Sequence, residues 1–364
     1  MPQLSRRSMV RGLAGTAAWG VLSGGAVQTA ASATLAPIAQ TPEPQTLKVL
    51  VLNAWIGGKR VRGGTEMIAQ IIEASGASLV FLLEAKETTG QIVTKLNASG
   101  ANFQYRMTGD TAIISSHPMS EAVEFPFMTK AVVTVGPLEV AAYAAHLEYR
   151  WYATYLPRGY GAGVPRGELS ESGWGKIPDG PTTDVATISR VNEASGRPKE
   201  IADFISDAHN EQARNRAVIL GGDFNEPSAL DWTPGTTRLF DHNGVVMRWE
   251  STQALHDAGF LDAYRDAHPD PVTHPGFTWP ASNPNVGINE LTWAPEADER
   301  DRIDYVFHSP DPRVQLTSAE VVGPRASIVR SERVDEPGED PFLLADTPWP
   351  TDHKGVLASY QLRG

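Results

Sequence analysis

Several apolar runs in this chain end in a carboxylate, an amide or a histidine, and they recur along almost its whole length. The clearest are VLVLN, ending at Asn53, SLVFLLE, ending at Glu84, AVILGGDFN, with Asp223 and Asn225, and RIDYVF, with Asp304. Short apolar runs of this kind are typical of strands buried on both faces, and a polar group at a strand's end lies at the rim of the sheet. Several such rims together would form a site for a hard metal ion and an anion.

The order of predicted elements indicates two halves that each begin with a strand and a helix. Residues 47–52 and 78–83 are predicted strands, each followed by an amphipathic helix that starts near Thr65 or Thr88. Later come more strands, a predicted surface loop at 157–181, a helix at 183–209 and the strand AVILGGDFN. This order predicts an α/β (α+β) fold, a four-layer sandwich in which two packed mixed β-sheets are flanked by helices.

The first 33 residues have the pattern of an export signal. Three arginines lead into an apolar stretch at residues 12–26, and residues 31–33 (Ala-Ser-Ala) form a cleavage site. Ser5-Arg6-Arg7 is typical of a twin-arginine signal, with an ordinary secretion signal as the alternative. The stretch is too short and too rich in Gly and Ala for a membrane anchor. The predicted division is a twin-arginine signal at 1–33, a Pro-rich linker at 34–45 and one catalytic domain at 46–364, located in the periplasm or outside the cell.

The chain has no cysteine and an acidic balance, with a formal net charge of −12. Without cysteine, thiolate metal sites are excluded, and His, Asp, Glu and Asn remain as ligands. An acidic protein gains no general attraction to polyanions, which lowers the expectation of a nucleic-acid substrate. A groove of basic residues would keep that substrate open, and the candidates are Lys59, Arg60, Arg62, Arg150 and Arg158.

Glu84 closes a run of five apolar residues. A buried carboxylate is costly unless it is paired or bound to a metal, and oxygen-only ligands suit Mg²⁺, Mn²⁺ or Ca²⁺. The alternative for Glu84 is a salt bridge to Lys86 or to a nearby arginine. Asn53 is a second candidate, either as a metal ligand or as a group that holds phosphate, and its alternative is a strand-end cap.

Asp223 and Asn225 lie two residues apart, after two glycines that permit a sharp bend and close approach to a ligand. On an extended chain this spacing points both side chains to the same side. Asp223 could then orient a water, and the amide of Asn225 could donate to a phosphate oxygen. The alternative is a turn in which both side chains bond to the backbone.

Two histidines stand out by their position. His353 follows Asp352 in a polar break before the last strand, and His146 ends the strand AAYAAH. A buried carboxylate such as Asp304 can fix the tautomer of a histidine and raise its pKa, which suits an imidazole that holds or delivers a proton. Each histidine alone is also typical of a structural residue.

Other hydrolase and kinase motifs are absent from the sequence: G-x-S-x-G, G-x-x-x-x-G-K-[ST] and H-E-x-x-H. The ordered set from Asn53 to His353 instead resembles the endonuclease/exonuclease/phosphatase superfamily, the deoxyribonuclease I-like proteins. GDFN, and DH after an IDY strand, are its most specific parts. A departure is LLEA around Glu84, where many relatives have Gln before the Glu.

The resemblance implies a role for each residue. Glu84 would bind a divalent cation with help from Asn53 and Asp352, with Mg²⁺ expected and Mn²⁺ or Ca²⁺ as alternatives. Asp223 would deprotonate the attacking water, and Asn225 would hold a phosphoryl oxygen. His353, oriented by Asp304, would bind the phosphoryl group. His146 would lie near the leaving group, and attack at phosphorus would be in line.

These expectations define three candidate functions. The first is an exported, metal-dependent phosphoesterase acting on a small or lipid-linked phosphoester, as a monomer without a membrane anchor. The second is a secreted nuclease, and the third a catalytically inactive binding protein of the same fold. Tryptophans in the long insertions favour the first if they face the site, but they could equally pack the loops down. They are Trp232, Trp249, Trp279, Trp293 and Trp349.

Overall fold

The computed structural model describes residues 45–163 and 170–363. The predicted export signal, and the linker apart from Gln45, lie outside these residues and stay predictions. The strands, in chain order, are β1 (Gln45–Asn53), β2 (Leu79–Leu83), β3 (Gln104–Thr108), β4 (Thr111–Ser115), β5 (Val123–Phe125), β6 (Met128–Val135), β7 (Leu138–His146), β8 (Ala217–Asp223), β9 (Leu261–Asp262), β10 (Asp304–His308), β11 (Val314–Val322), β12 (Ala326–Val329), β13 (Glu332–Asp335), β14 (Phe342–Leu343) and β15 (Gly355–Leu362). The α-helices are α1 (Gly64–Ser75), α2 (Thr89–Ala98), α3 (Val185–Glu193), α4 (Arg197–Ala213), α5 (Glu250–Asp257) and α6 (Ala263–Ala267).

Two mixed sheets pack face to face around the main core. The first has the strand order β14-β11-β15-β1-β2-β4-β3, and the second has the order β5-β6-β7-β8-β10-β9. Val51 and Phe81 of the first sheet belong to the same buried cluster as Ile219 and Val306 of the second. Helices α1 and α2 cover the outer face of the first sheet, and α4 and α5 cover that of the second. The predicted four-layer sandwich is confirmed, and burial on both faces explains the nearly continuous apolar runs.

The strand register brings the polar strand ends to one edge. Strands β1 and β2 are parallel, with Asn53 opposite Leu83. Strands β7 and β8 are also parallel, with His146 opposite Asp223. Strand β10 runs antiparallel to β8 and starts with Asp304 opposite Asp223. Three polar residues of the second sheet therefore lie side by side, although they are far apart in sequence.

Gly221 and Gly222 lie in the body of β8, so the predicted sharp bend at these residues is wrong. A Cβ at Gly221 would lie 2.3 Å from the ring of Phe81 in the facing sheet. A Cβ at Gly222 would lie 1.9 Å from the carbonyl oxygen of Ala145 in the neighbouring strand. The two glycines thus allow close packing between sheets and between strands just before Asp223.

Two other predicted elements differ from the structure. The helix predicted at residues 183–209 is divided into α3 and α4, because the chain turns at Gly196 with φ 87°. Within the predicted surface loop, residues 157–163 are largely buried, and Arg158 and Tyr160 are at most 6% exposed. Among the described residues, none of the helices combines the length and the apolar character needed to cross a membrane.

Candidate active site

Asn53, at the end of β1, connects carboxylates that come from the two sheets. Its Nδ2 donates to Asp223 Oδ2 at 3.0 Å and to Glu84 Oε1 at 3.2 Å. Its Oδ1 accepts a hydrogen bond from the backbone N–H of Trp55 at 2.9 Å. These contacts make Asn53 a group that positions two carboxylates. Its predicted roles as a metal ligand and a phosphate-binding group stay predictions.

His353 and Asp304 form a buried pair across the two sheets. His353 Nδ1 lies 2.9 Å from Asp304 Oδ2, and His353 Nε2 lies 3.7 Å from Asp223 Oδ2. Burial by itself lowers the pKa of His353, but the charges of Asp304 and Asp223 outweigh it and raise the pKa to about 10. The neighbouring carboxylates therefore favour the imidazolium form of His353, in which Nδ1 donates to Asp304 and Nε2 faces Asp223.

His146 forms a second pair of the same kind with Asp110. Its Nδ1 lies 2.8 Å from Asp110 Oδ2, and its Nε2 lies 3.8 Å from both Asp223 Oδ2 and Glu84 Oε1. Burial lowers the pKa of His146, but the three carboxylates together raise it to about 9. Asp110 was not predicted, because a single Asp that follows Gly109 in a hairpin is typical of an ordinary turn.

Asp223 lies between the two histidine rings and is 1% exposed. Its Oδ1 accepts a hydrogen bond from the backbone N–H of Asn225 at 2.9 Å. Asn225 Nδ2 donates to the carbonyl oxygen of Leu147 at 3.1 Å. The side chains of Asp223 and Asn225 thus both bond to the backbone, as the alternative interpretation of this sequence expected. The amide of Asn225 has a second proton, and the residue also lines the pocket described below.

The backbone is strained around Glu84. Trp55, Ile56, Glu84 and Asn225 have φ values of 43°, 55°, 54° and 49°, in the left-handed region that non-glycine residues rarely adopt. The turn at Trp55 and Ile56 presents the N–H of Ile56 to Glu84 Oε2 at 3.0 Å. Such strain persists where surrounding contacts hold it, and it clusters at functional sites.

The oxygen donors at this edge fit a hard divalent cation. Glu84 and Asp352 line the same pocket, and burial together with the charge of Glu84 raises the pKa of Asp352 to about 6. A cation would relieve this repulsion, and carboxylate oxygens suit Mg²⁺, Mn²⁺ or Ca²⁺. Asp223, Asp304 and His353 offer a second set of ligand atoms within 4.8 Å of one another. Asp304 Oδ1 in this set has no hydrogen-bond partner among the described residues.

A pocket of about 610 Å³ opens at these residues. The predicted site residues that line it are Glu84, His146, Asp223, Asn225, Asp352 and His353. Its lining also contains Asp110, the cations Lys59, Arg60 and Lys86, and the aromatic residues Trp55, Tyr149, Tyr152, Tyr155, Trp174, Trp279 and Trp293. The edge of the sandwich that carries the predicted site residues is thus the polar part of a larger, strongly aromatic pocket.

The tryptophans of the insertions have two different roles. Three of them are at most 1% exposed and hold the loops against the protein body, namely Trp232, Trp249 and Trp349. Trp279 and Trp293 line the pocket, where Trp293 is 47% exposed. Trp174, from the predicted surface loop, joins them with its ring centroid 4.9 Å from that of Trp293. The loop around Trp174 is rich in glycine and shows no periodicity, so the sequence contained no signal for this placement.

Of the predicted basic groove, Lys59 and Arg60 line the pocket, whereas Arg62, Arg150 and Arg158 do not. Lys59 and Arg60 each contact a glutamate. Arg158 is buried with Nη1 2.6 Å from Asp301 Oδ2, and Arg150 is bonded to the glutamate two residues before it. Lys86 remains as an exposed cation of the pocket lining.

A central aspartate lies between two His–Asp pairs at the edge of the two packed sheets. The chain belongs to the Endonuclease/Exonuclease/phosphatase family, whose family model matches residues 52–353. The family predicted from the strand-end residues is therefore confirmed.

Similar proteins come from bacteria and animals. The uncharacterized protein F14F9.5 of Caenorhabditis elegans is 25% identical over 328 residues, which are 86% of this chain and 91% of that protein. An endonuclease/exonuclease/phosphatase from Beutenbergia cavernae is 16% identical, with 88% of this chain and 72% of that chain covered and a TM-score of 0.47. The 3'-5' exonuclease NExo from Neisseria meningitidis is 15% identical, with 86% of this chain and 98% of that chain covered and a TM-score of 0.47. TDP2 from C. elegans is 17% identical, with 87% of this chain and 75% of that chain covered and a TM-score of 0.45.

Proposed function

We propose that this protein is an exported, metal-dependent phosphoesterase that hydrolyses a small or lipid-linked phosphate ester. The observation that carries the proposal is the position of Asp223 Oδ2, which lies 3.8 Å and 3.7 Å from Nε2 of His146 and His353. One carboxylate that can accept a proton is thereby placed beside two cations that can face a phosphoryl oxygen.

In this proposal Asp223 accepts a proton from a water that attacks phosphorus in line with the leaving oxygen. His353 and His146 are protonated at neutral pH, so their Nε2–H groups stabilise the charge that develops on the phosphoryl oxygens. His146 lies nearer the leaving group and delivers a proton to its oxygen. Asp304 and Asp110 orient the rings through Nδ1 and leave each Nε2 for the substrate.

Two further groups complete the phosphate site. Asn225 uses its second amide proton to hold a phosphoryl oxygen. Glu84 and Asp352 would hold a divalent cation, which supplies Lewis-acid polarisation of the phosphoryl group when bound. Asn53 keeps Glu84 and Asp223 in a fixed relation through its two hydrogen bonds.

The pocket supports a small or lipid-linked ester as the substrate. Its volume of about 610 Å³ lies within the range of small-molecule sites. Aromatic residues in the lining provide apolar contact area beside the polar phosphate site. The acidic composition of the chain also gives no general attraction to nucleic acid.

The test is an activity matrix of metal ions against phosphoesters. Mg²⁺, Mn²⁺ and Ca²⁺ would be combined with bis-nitrophenyl phosphate, nitrophenyl phosphate, sphingomyelin, inositol phosphates and DNA. Asp223→Asn should abolish the hydrolysis, and Asp203→Asn, on the exposed face of α4, should retain it. No hydrolysis in any combination, or equal activity in wild type and Asp223→Asn, would favour the inactive binding protein.

A secreted nuclease is the second candidate, favoured by Lys59, Arg60 and Lys86 in the pocket lining. A plasmid-nicking assay and an RNA assay separate it from the first. Faster cleavage of polynucleotides than of every small ester would assign the nuclease function.

Export through the twin-arginine route rests on residues 1–33, which lie outside the described residues. Changing Arg6 and Arg7 to lysine should retain the full-length chain inside the cell, as measured by fractionation. Unchanged export of that variant would contradict the twin-arginine route and leave an ordinary secretion signal.

A further inference from the structure

We infer that five aromatic residues, whose rings contact one another in space, bind an uncharged apolar substituent of the phosphoester. This aromatic wall consists of Tyr152, Tyr155, Trp174, Trp279 and Trp293, all of which line the pocket. The inference rests on the proposed phosphoesterase function and names the part of the substrate that lies beside the phosphorus.

The rings of the aromatic wall contact one another in a continuous series. Tyr152 packs edge-on against Tyr155, with centroids 4.9 Å apart, and against Trp279 at 6.3 Å. Tyr155 packs edge-on against Trp174 at 5.9 Å, and Trp174 lies 4.9 Å from Trp293. Trp293 ends the series with 47% of its surface exposed, so a ligand would find an accessible indole there.

Glu299 holds one part of the wall in place. This carboxylate is 1% exposed, and its Oε2 accepts hydrogen bonds from the hydroxyl of Tyr155 at 2.8 Å and the backbone N–H of Trp293 at 3.2 Å. The same oxygen accepts from the N–H of Ala294 at 3.0 Å, and the other oxygen accepts from Thr292. The ring of Tyr155 and the backbone at Trp293 are therefore positioned before any ligand arrives, which reduces the entropy lost on binding.

Asp301 holds the other part and connects it to the catalytic edge. Its Oδ2 accepts from the hydroxyl of Tyr152 at 2.8 Å, and its backbone exchanges hydrogen bonds with Trp279 at 3.1 Å and 3.0 Å. Three residues later the chain reaches Asp304, the partner of His353. One short segment thus carries both the support of the aromatic wall and the carboxylate of the catalytic pair.

The charges around the wall favour an uncharged ligand group. Glu299 is occupied by its donors, and Asp301 is paired with Arg158 at 2.6 Å. Lys176 and Glu296 form an exposed ion pair in which their charges neutralise each other. These charged side chains are therefore already paired or hydrogen-bonded, and the five rings themselves carry no charge. Their faces offer an apolar ring or chain a large contact area.

The test measures binding, so it does not depend on turnover. Mg²⁺-loaded protein would be titrated calorimetrically with methylphosphonate, hexylphosphonate and phenylphosphonate. We expect the two larger ligands to bind about tenfold more tightly than methylphosphonate. Trp293→Ala should reduce this preference to about threefold or less without changing the methylphosphonate affinity, and Trp293→Phe should restore most of it. Tyr105→Ala, which removes a 38% exposed ring outside the pocket, should leave all three affinities unchanged.

The outcomes separate this inference from the proposed function. Tighter binding of the phenyl than the hexyl ligand would assign the wall to a ring, and the reverse order would assign it to a lipid-like chain. Either result supports an apolar substituent. Equal affinities for all three ligands, no measurable binding, or a preference that survives Trp293→Ala would overturn the inference. Loss of hydrolysis in the activity matrix, with these preferences intact, would overturn only the proposed function.

Discussion

Asp304 accepts a hydrogen bond from His353 Nδ1 at 2.9 Å inside the protein, where the aspartate is 0% exposed. The second pair has nearly the same geometry, with 2.8 Å between His146 Nδ1 and Asp110 Oδ2, but the Asp110 side chain is 47% exposed. Solvent screens a charge at the surface far more than one in the interior. The two histidines beside Asp223 therefore depend on their carboxylates to different degrees.

Replacing the two carboxylates separately should reveal this difference. Asp304→Asn should lower kcat/KM about 100-fold or more, and Asp110→Asn about tenfold. The loss of charge at Asp304 should also lower the pKa of His353, so the alkaline limit of the pH–rate profile should move to lower pH. The measurement is kcat/KM against pH on the best phosphoester from the activity matrix, with circular dichroism as the check on folding. A larger loss in Asp110→Asn than in Asp304→Asn would contradict this ranking.

Removal of the predicted metal ligands should weaken cation binding directly. Glu84→Gln and Asp352→Asn should each raise the Kd for Mn²⁺ about tenfold or more, because the hard cation loses a charged oxygen ligand. Calorimetric titration of the apoprotein measures the Kd, and activity should recover partly at higher Mn²⁺ concentration. Asp203→Asn is the matched control on an exposed helix face. Unchanged Mn²⁺ affinity in both variants would contradict the assignment of Glu84 and Asp352 as metal ligands.

The layers of the fold were predictable because each central strand is buried on both faces and has a polar residue at one end. Asn53, Glu84, Asp223 and Asp304 carry that signal in their immediate neighbours, and the strand register then brings them together. The break at Gly196 also had a local signal, which the single predicted helix passed over. Gly196 adopts a left-handed conformation, and Pro198 follows in the first turn of α4, where its missing N–H is tolerated.

Other parts of the site depend on contacts between distant segments. Asp110 meets His146 only because the turn between β3 and β4 of the first sheet lies against the end of β7 in the second. Trp174 meets Trp293 across 119 positions of sequence, through loops that have no period. Arg158 looked like a surface cation, but Asp301 pairs with it inside the protein. Local sequence contains no record of such partners, since they are set by the tertiary structure.

Gly222 should be intolerant of any side chain. In Gly222→Ala the new Cβ would lie 1.9 Å from the carbonyl oxygen of Ala145, so strands β7 and β8 would have to separate. We expect the free energy of unfolding to fall by about 3 kcal/mol, the upper part of the range for overpacked interiors. Gly235→Ala is the control, because its Cβ would lie no closer than 3.5 Å to its neighbours. Urea denaturation measures both, and equal stabilities of the two variants would contradict the packing argument.

His242 should make the protein sensitive to mild acid. Its ring is 2% exposed and stacks on Trp232 at 3.6 Å, and burial together with the charge of Arg158 lowers its pKa from 6.5 to about 2. Between these two values the unfolded chain binds a proton that the folded protein excludes. The contribution of this neutral ring is therefore complete above about pH 6.5 and is lost as the pH falls, by up to about 1.4 kcal/mol per pH unit.

A phenylalanine at this position would keep the stacking and could not take up a proton. The stability difference between wild type and His242→Phe should therefore shift in favour of the variant by about 2 kcal/mol from about pH 7 to about pH 5. Urea denaturation of both proteins at several pH values measures it, and the contributions of all other groups cancel in the difference. His209→Gln, at an exposed position of α4, should show no such shift. A difference that stays constant across this range would mean that His242 is already protonated in the folded protein, or that the pocket around it opens to water.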